Sequence, residues 1–450
     1  MARTRPLDPR PALLSASGRI VAIDIIRGFA IMWVVLYHLW TDLRYPNVYP
    51  AQGDAFRAVP HRFAEGNLAG GLTAISDAFF RVGYLGVPLF MMLSGLSLTI
   101  VALRRERPQE SASRFLYRRL RRVMLPYWAG FALTLAFAAA LACVQWQRHG
   151  GAGFVDYLQN GDINVDGGQL FAGALLAPRI VRDEWQFAPE GSLWFVLVIA
   201  QYYLLFPALL AVLRRAGPWL FLSATLAVTL ASLGAMVAVD GDLLGHRSWV
   251  AMGSPFRLFE FGAGMTLGYL IVRRPQTLLG VERAPLTLAS LAAGAAIFVA
   301  ACLIAPDDGA LATLQSPAIV AGLALVFAPL IIKAPGLLEV SAPGRALAWI
   351  GVISYTVLIV SEPLRSVTHT MSAERAADAW IVLWASVAFF PLTLLLARPL
   401  ARLLGLVERE APPLTVGELI GHAGAEQRPP ASDQASVPVP AASAEEGAPR

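Results

Sequence analysis

"RIVAIDIIRGFAIMWVVLYHLW", residues 19–40, decides the fold. It is apolar over the length a helix needs to cross a bilayer core, about 20 residues at about 1.5 Å each. Yet it holds Asp24, Arg27 and His38, and ionisable groups at membrane depth are expensive. Further runs of that length recur along the chain: residues 191–213, 216–239, 284–306 and 309–332 carry no charge at all. Of the 450 residues 56% are apolar and only 15% charged, where a soluble domain has about 25% charged. Mean hydropathy is +0.57. The chain therefore reads as an all-α integral membrane protein. The short alternating segments of a β-barrel are absent.

Ten transmembrane helices are expected, over 20–40, 79–103, 123–146, 192–213, 217–239, 256–272, 285–305, 311–332, 346–366 and 379–404. The sixth is short and needs its neighbours to complete it. Residues 1–19 form a basic leader, 20–404 the membrane domain, and 405–450 a Pro-, Ala- and Glu-rich tail expected to be disordered. The first apolar run has no small-residue cleavage site behind it and reads as a retained span rather than a signal peptide. With the N-terminus inside, the inner segments carry 19 Lys and Arg and the outer segments 8. The positive-inside rule then puts both termini in the cytoplasm. The net charge of +5 marks topology here, not nucleic-acid binding. Cys143 and Cys302 fall within apolar runs and read as small buried hydrophobes; no residue pattern points to a metal.

Arg27 and His38 are 11 residues apart. That spacing is about 20° past three helical turns, so both lie on one face, about 16 Å apart along the axis. Asp24 is one turn before Arg27 and placed to pair with it. Asp42, one turn beyond His38, is placed to orient its ring if the helix continues that far. The set forms a polar track: an anion-holding Arg at the cytoplasmic end, a proton-transferring His at the outer end. A snorkelling Arg with an interfacial His is the plainer alternative.

The same stretch resembles the first helix of the acyltransferase-3 membrane acyltransferases, including their Arg-x10-His spacing. "VGYLGVPLFMMLSGLSLT" (82–99), "FLYRRLRRVMLPYW" (115–128), "SLWFVLVIAQYYLLFP" (192–207), "FRLFEFGAGMTLGY" (256–269) and "ISYTVLIVSEPL" (353–364) resemble later motifs of that family, in order. The resemblance implies transfer of an acyl group, often acetyl, from cytoplasmic acyl-CoA to a hydroxyl, and for many members the acceptor is a saccharide outside the membrane. It points to Arg119 with Arg122 as the pair that binds the donor; on the expected reading His38 is the general base, and Arg27, positioned by Asp24, joins that pair in holding the donor phosphates or stabilising the carbonyl as charge develops. The chain departs from the family where many members carry an acidic pair, here Ile199 and Ala200, and where many have a histidine, here Ser361 followed by Glu362.

The run Arg114, Arg118, Arg119, Arg121 and Arg122 fits a phosphate clamp and equally a topology signal or lipid contact. Glu260 and Arg257, three apart, fit acceptor binding or assistance to His38, and equally mutual neutralisation. The expected protein is a bacterial inner-membrane O-acyltransferase acting on a cell-envelope or secreted saccharide, with acetyl-CoA or another acyl-CoA as donor, in contact with membrane lipid, without metal and without nucleic acid. A transporter or flippase for a saccharide or lipid-linked saccharide is the principal rival, and a pH sensor or scaffold the second. The sequence leaves the acceptor, the acyl chain and the oligomeric state open.

Overall fold

The computed structural model describes residues 20–44, 52–104, 111–149, 194–241, 243, 253–277, 284–304, 308–333, 341–372 and 379–404. The leader 1–19, the tail 405–450, most of the long outer segment 147–191 and the His246 region lie outside the described residues. Among the described residues the chain is helical, with no β-strand. Its helices are α1 (Val21–Arg44), α2 (Gln52–Ala64), α3 (Leu68–Arg81), α4 (Gly86–Arg104), α5 (Ala112–His149), α6 (Trp194–Ala216), α7 (Pro218–Asp240), α8 (Leu258–Arg273), α9 (Ala284–Cys302), α10 (Ala312–Lys333), α11 (Ala342–Val352), α12 (Ser354–Ser372) and α13 (Ala379–Leu403).

Eight of the ten expected spans fall on single helices; 79–103 runs from the end of α3 into α4, and 346–366 covers α11 and α12. Among the described residues, eight stretches are long and apolar enough to cross a membrane, or nine if α11 and α12 count as one broken span. The shortfall from ten is α8, only 16 residues long. Two expected boundaries move. The helix after the basic run begins at Ala112 rather than 123, so the arginines are helical. The expected outer loop 41–78 contains α2 and most of α3. The expected ninth span is bent by 78° between α11 and α12.

Local sequence explains several ends. Gly217 (φ +80°) opens α7 with Pro218 behind it, and Gly241 (φ +82°) closes it. A left-handed residue after a helix suits glycine, and proline suits a first helical position. Asn67 starts α3 by accepting from the Gly70 N–H at 2.8 Å.

α1 is the axis of the fold. One cluster of buried side chains joins it to α4, α8 and α10 (Trp33, Leu89, Met92, Ile271, Ile319). Another joins it to α5, α6, α12 and α13 (Leu39, Tyr127, Tyr202, Val357, Phe389). Glycines set the closest approaches. A Cβ on Gly28 would strike the Leu347 carbonyl, and one on Gly351 the Asp24 carbonyl, so α1 and α11 meet backbone to backbone. Likewise Gly264 faces the Met92 carbonyl, Gly95 the Phe261 carbonyl and Gly268 the Leu96 carbonyl. Met92 with Gly264 and, one turn on, Leu96 with Gly268 make α4 and α8 a parallel pair. Helices in lipid gain association from such close packing of small residues. The bent element holds α1 at both ends, α11 against Asp24 and Gly28, and α12 against Asp42.

Candidate functional site

At the N-terminal end of α1, Asp24 is 5% exposed. Its carboxylate lies 3.4 Å from the Arg27 guanidinium. Arg27 donates a second, shorter hydrogen bond, 2.8 Å, to the Ser97 hydroxyl on α4. That hydroxyl is itself fixed, donating to the Leu93 carbonyl at 2.6 Å. The Arg27 head is thus aimed by two elements, and its side chain keeps 28% of its surface open. From α5, Arg119 turns inward, half-buried, its guanidinium 5.8 Å from the centre of the Phe115 ring. It lies within electrostatic reach of Arg27, Arg118, Arg122 and the phenol of Tyr203. Arg114, Arg118, Arg121 and Arg122 are exposed. Several guanidiniums facing one region make a place for an anion.

The other end of α1 is ring-lined. Tyr37 and His38 are half-buried, their rings 5.0 Å apart. Tyr37 also meets Tyr84, in the turn before α4, at 5.5 Å. Among the described residues, neither the His38 ring nitrogens nor the Tyr37 hydroxyl has a hydrogen-bond partner. α1 does extend past His38, but Asp42 does not serve its ring. Asp42 pairs instead with Arg365 of α12 at 2.7 Å, and Arg365 reaches Glu362 at 3.4 Å. Both carboxylates are almost fully buried. The charge of Arg365 is felt at His38.

Glu260, 1% exposed, sits in the first turn of α8. Arg257 grips it through two nitrogens, at 2.9 and 3.1 Å, and Ser316 of α10 donates to it at 3.3 Å. Mutual neutralisation describes this pair geometrically. Arg257 also lies 5.3 Å over the Trp194 ring. The turn that carries it is fixed by α6: the Tyr202 hydroxyl donates to the Ser254 carbonyl at 2.8 Å, and the Ser254 N–H donates to the Gln201 side chain at 3.0 Å.

The structure brings Asp24, Arg27 and Arg119 together. It leaves Arg122 exposed at the rim of that group and puts His38 at the far end of the same helix. Glu260 belongs to a separate ion pair. Three contributions escaped the sequence: Ser97, within a stretch read only for its family likeness; the reach of Arg365 to Asp42, remote in the chain, although its pairing with Glu362 is a one-turn spacing; and the Tyr37–Tyr84 pair, which no spacing connects. His61 is an exposed residue beside Glu65. Cys302 is buried and Cys143 half-buried. Among the described residues, no three of His, Cys, Asp and Glu gather as metal ligands do.

A family model described as an acyltransferase domain matches residues 20–402. No curated protein and no solved structure matches the chain.

Proposed function

The chain belongs to the acyltransferase-3 family, and on that premise we propose that it moves an acyl group, acetyl in the first instance, from cytoplasmic acyl-CoA to a hydroxyl of a saccharide outside a bacterial inner membrane. In this proposal ten helices cross the membrane, α8 completed by its neighbours, with both termini cytoplasmic. The excess of basic residues in the inner segments, 19 against 8, supports that orientation.

The observation that carries the proposal is the division of α1. Its cytoplasmic end offers Arg27 beside Arg119, where CoA phosphates would find several guanidiniums. Its outer end offers His38, a half-buried imidazole whose nitrogens have no hydrogen-bond partner among the described residues. The two lie about 16 Å apart along the axis, a gap that the long pantetheine arm of CoA is suited to bridge. His38 takes the proton of the acceptor hydroxyl as its oxygen attacks the thioester carbonyl. The C–S bond then breaks, and the imidazolium returns that proton to the CoA thiolate. Asp24 and Ser97 position Arg27, and Arg122 captures the donor at the rim. Glu260, paired with Arg257, holds the start of α8 beside this path.

The test uses membranes from cells expressing wild type, His38→Ala or Arg27→Ala at matched protein levels, with labelled acetyl-CoA added to the cytoplasmic face. Label enters envelope glycans with wild type and is lost with both variants. Label that survives both substitutions contradicts the assignment. The broken pair α11–α12 also suits a transporter, in which interrupted helices flank a site. Saccharide flux without any acyl transfer is the result that favours that reading.

A further inference from the structure

Beside His38 stands a group of side chains that the acyl-transfer chemistry does not use. Arg81, the last residue of α3, holds its guanidinium 6.0 Å from the centre of the Tyr37 ring and 5.9 Å from that of Tyr84. The two rings lie 5.5 Å apart, tilted by 57°. Tyr37 in turn touches the His38 ring. All four side chains are half-buried, neither sealed in the core nor free on the surface.

The group is rigidly built. α3 is pinned to α1 on both sides of it. Trp40 donates to Asp77 at 2.9 Å, and Arg44 grips the same carboxylate at 2.8 Å. Trp33 donates to the Phe79 carbonyl at 2.9 Å. Arg257 contributes a second positive charge felt at Tyr84. Small-molecule sites are commonly lined by aromatic rings and supplied with a few fixed polar groups, and this cluster offers both.

We propose that Tyr37, Arg81 and Tyr84 form the acceptor subsite and that it selects an anionic sugar. The tyrosine faces cover the apolar C–H face of a pyranose ring, and Arg81 takes a carboxylate or phosphate that the ring carries. Guanidinium suits both anions because it offers paired N–H donors in one plane. The neighbouring His38 then meets a hydroxyl on the same sugar or the next. This assignment rests on the acyltransferase reading for its purpose, but its binding preference stands without turnover.

The test is binding to the full-length protein in lipid nanodiscs, followed by calorimetry. The probes are trigalacturonic acid, its trimethyl ester, which keeps the sugar and removes the charge, and mannose 6-phosphate. Wild type binds the acid or the sugar phosphate at least about tenfold more tightly than the ester. Whichever of the two is preferred tells carboxylate from phosphate. Arg81→Gln abolishes the preference, Arg81→Lys keeps part of it, and His38→Ala leaves it intact. Each variant must elute as a single folded species. Equal binding of charged and neutral probes, no binding of either anion, or a preference that survives Arg81→Gln overturns the proposal. Acetyl-CoA-dependent labelling measured on the same samples separates the two ideas: a charge preference without any transfer keeps the subsite and removes the acyltransferase reading.

Discussion

The two ends of α1 are built by different means. At the Asp24–Arg27 end, backbone meets backbone: Gly28 and Gly351 let α11 press against the helix, while the Arg27 head reaches Ser97 on α4. At the His38 end, side chains define the space: rings, a buried ion trio and the pinned α3. A backbone contact fixes position to fractions of an ångström and tolerates no added atom. A side-chain lining leaves room for a substrate. The first arrangement suits the holding of one invariant donor, the second the fitting of a particular acceptor.

Breaking the outer end should have the largest effect on stability. Arg365→Ala removes a cation that Asp42 and Glu362 share, and both carboxylates are almost fully buried. A loss of about 3–5 kcal/mol is expected, read as a lowered thermal midpoint in detergent; Arg365→Lys should lose less. An unchanged midpoint for the alanine variant contradicts the trio.

At the inner end, Gly351→Ala drives a methyl group into the Asp24 carbonyl, which as backbone cannot swing aside. About 1–3 kcal/mol of destabilisation is expected. The same change at Gly234, where a Cβ meets nothing, should leave the midpoint within about 0.5 kcal/mol. Equal midpoints for the two variants remove the backbone contact from the account.

Ser97→Ala withdraws one charge-assisted hydrogen bond from Arg27. A bond of that kind is worth about 1.5–3 kcal/mol, so the KM for acetyl-CoA should rise by roughly tenfold or more with kcat little changed. Asp24→Asn should have the smallest effect, a few-fold in the same KM, because its contact with Arg27 is long, 3.4 Å. A larger effect from Asp24 than from Ser97 reverses the ranking that the distances give.

How much of this was legible in the sequence follows from the physics of each element. The long apolar helices were, because a bilayer demands continuous apolar length and the demand is written locally. The pairing of Asp24 with Arg27 was, because it is a one-turn spacing. The α2–α3 hairpin was not: "QGDAFRAVPHRFA" is polar and carries Pro60 within the helix, so it gives no hydropathy signal. The break at Ile353 has no proline beside it to announce it. Arg365 could not be matched to Asp42, since the ion pair joins helices far apart in the chain. The expected Asp42–His38 link was a sound local inference overridden by that distant, more strongly charged partner. That Arg119 rather than Arg122 is the inward residue was not legible, since the two are three apart on one helix and only the packing around α5 tells them apart.

The central claim is that one helix divides the reaction, with the donor held at Arg27 and the proton moved at His38. Steady-state acetyl transfer by the purified full-length protein in nanodiscs tests it most directly, with kcat and the KM for acetyl-CoA measured for wild type, Arg27→Ala and His38→Ala. The account predicts that His38→Ala lowers kcat by about 10²–10⁴-fold with the KM nearly unchanged, while Arg27→Ala acts chiefly by raising the KM. A His38→Ala variant that retains turnover, or one whose defect is repaired by more acetyl-CoA, contradicts it.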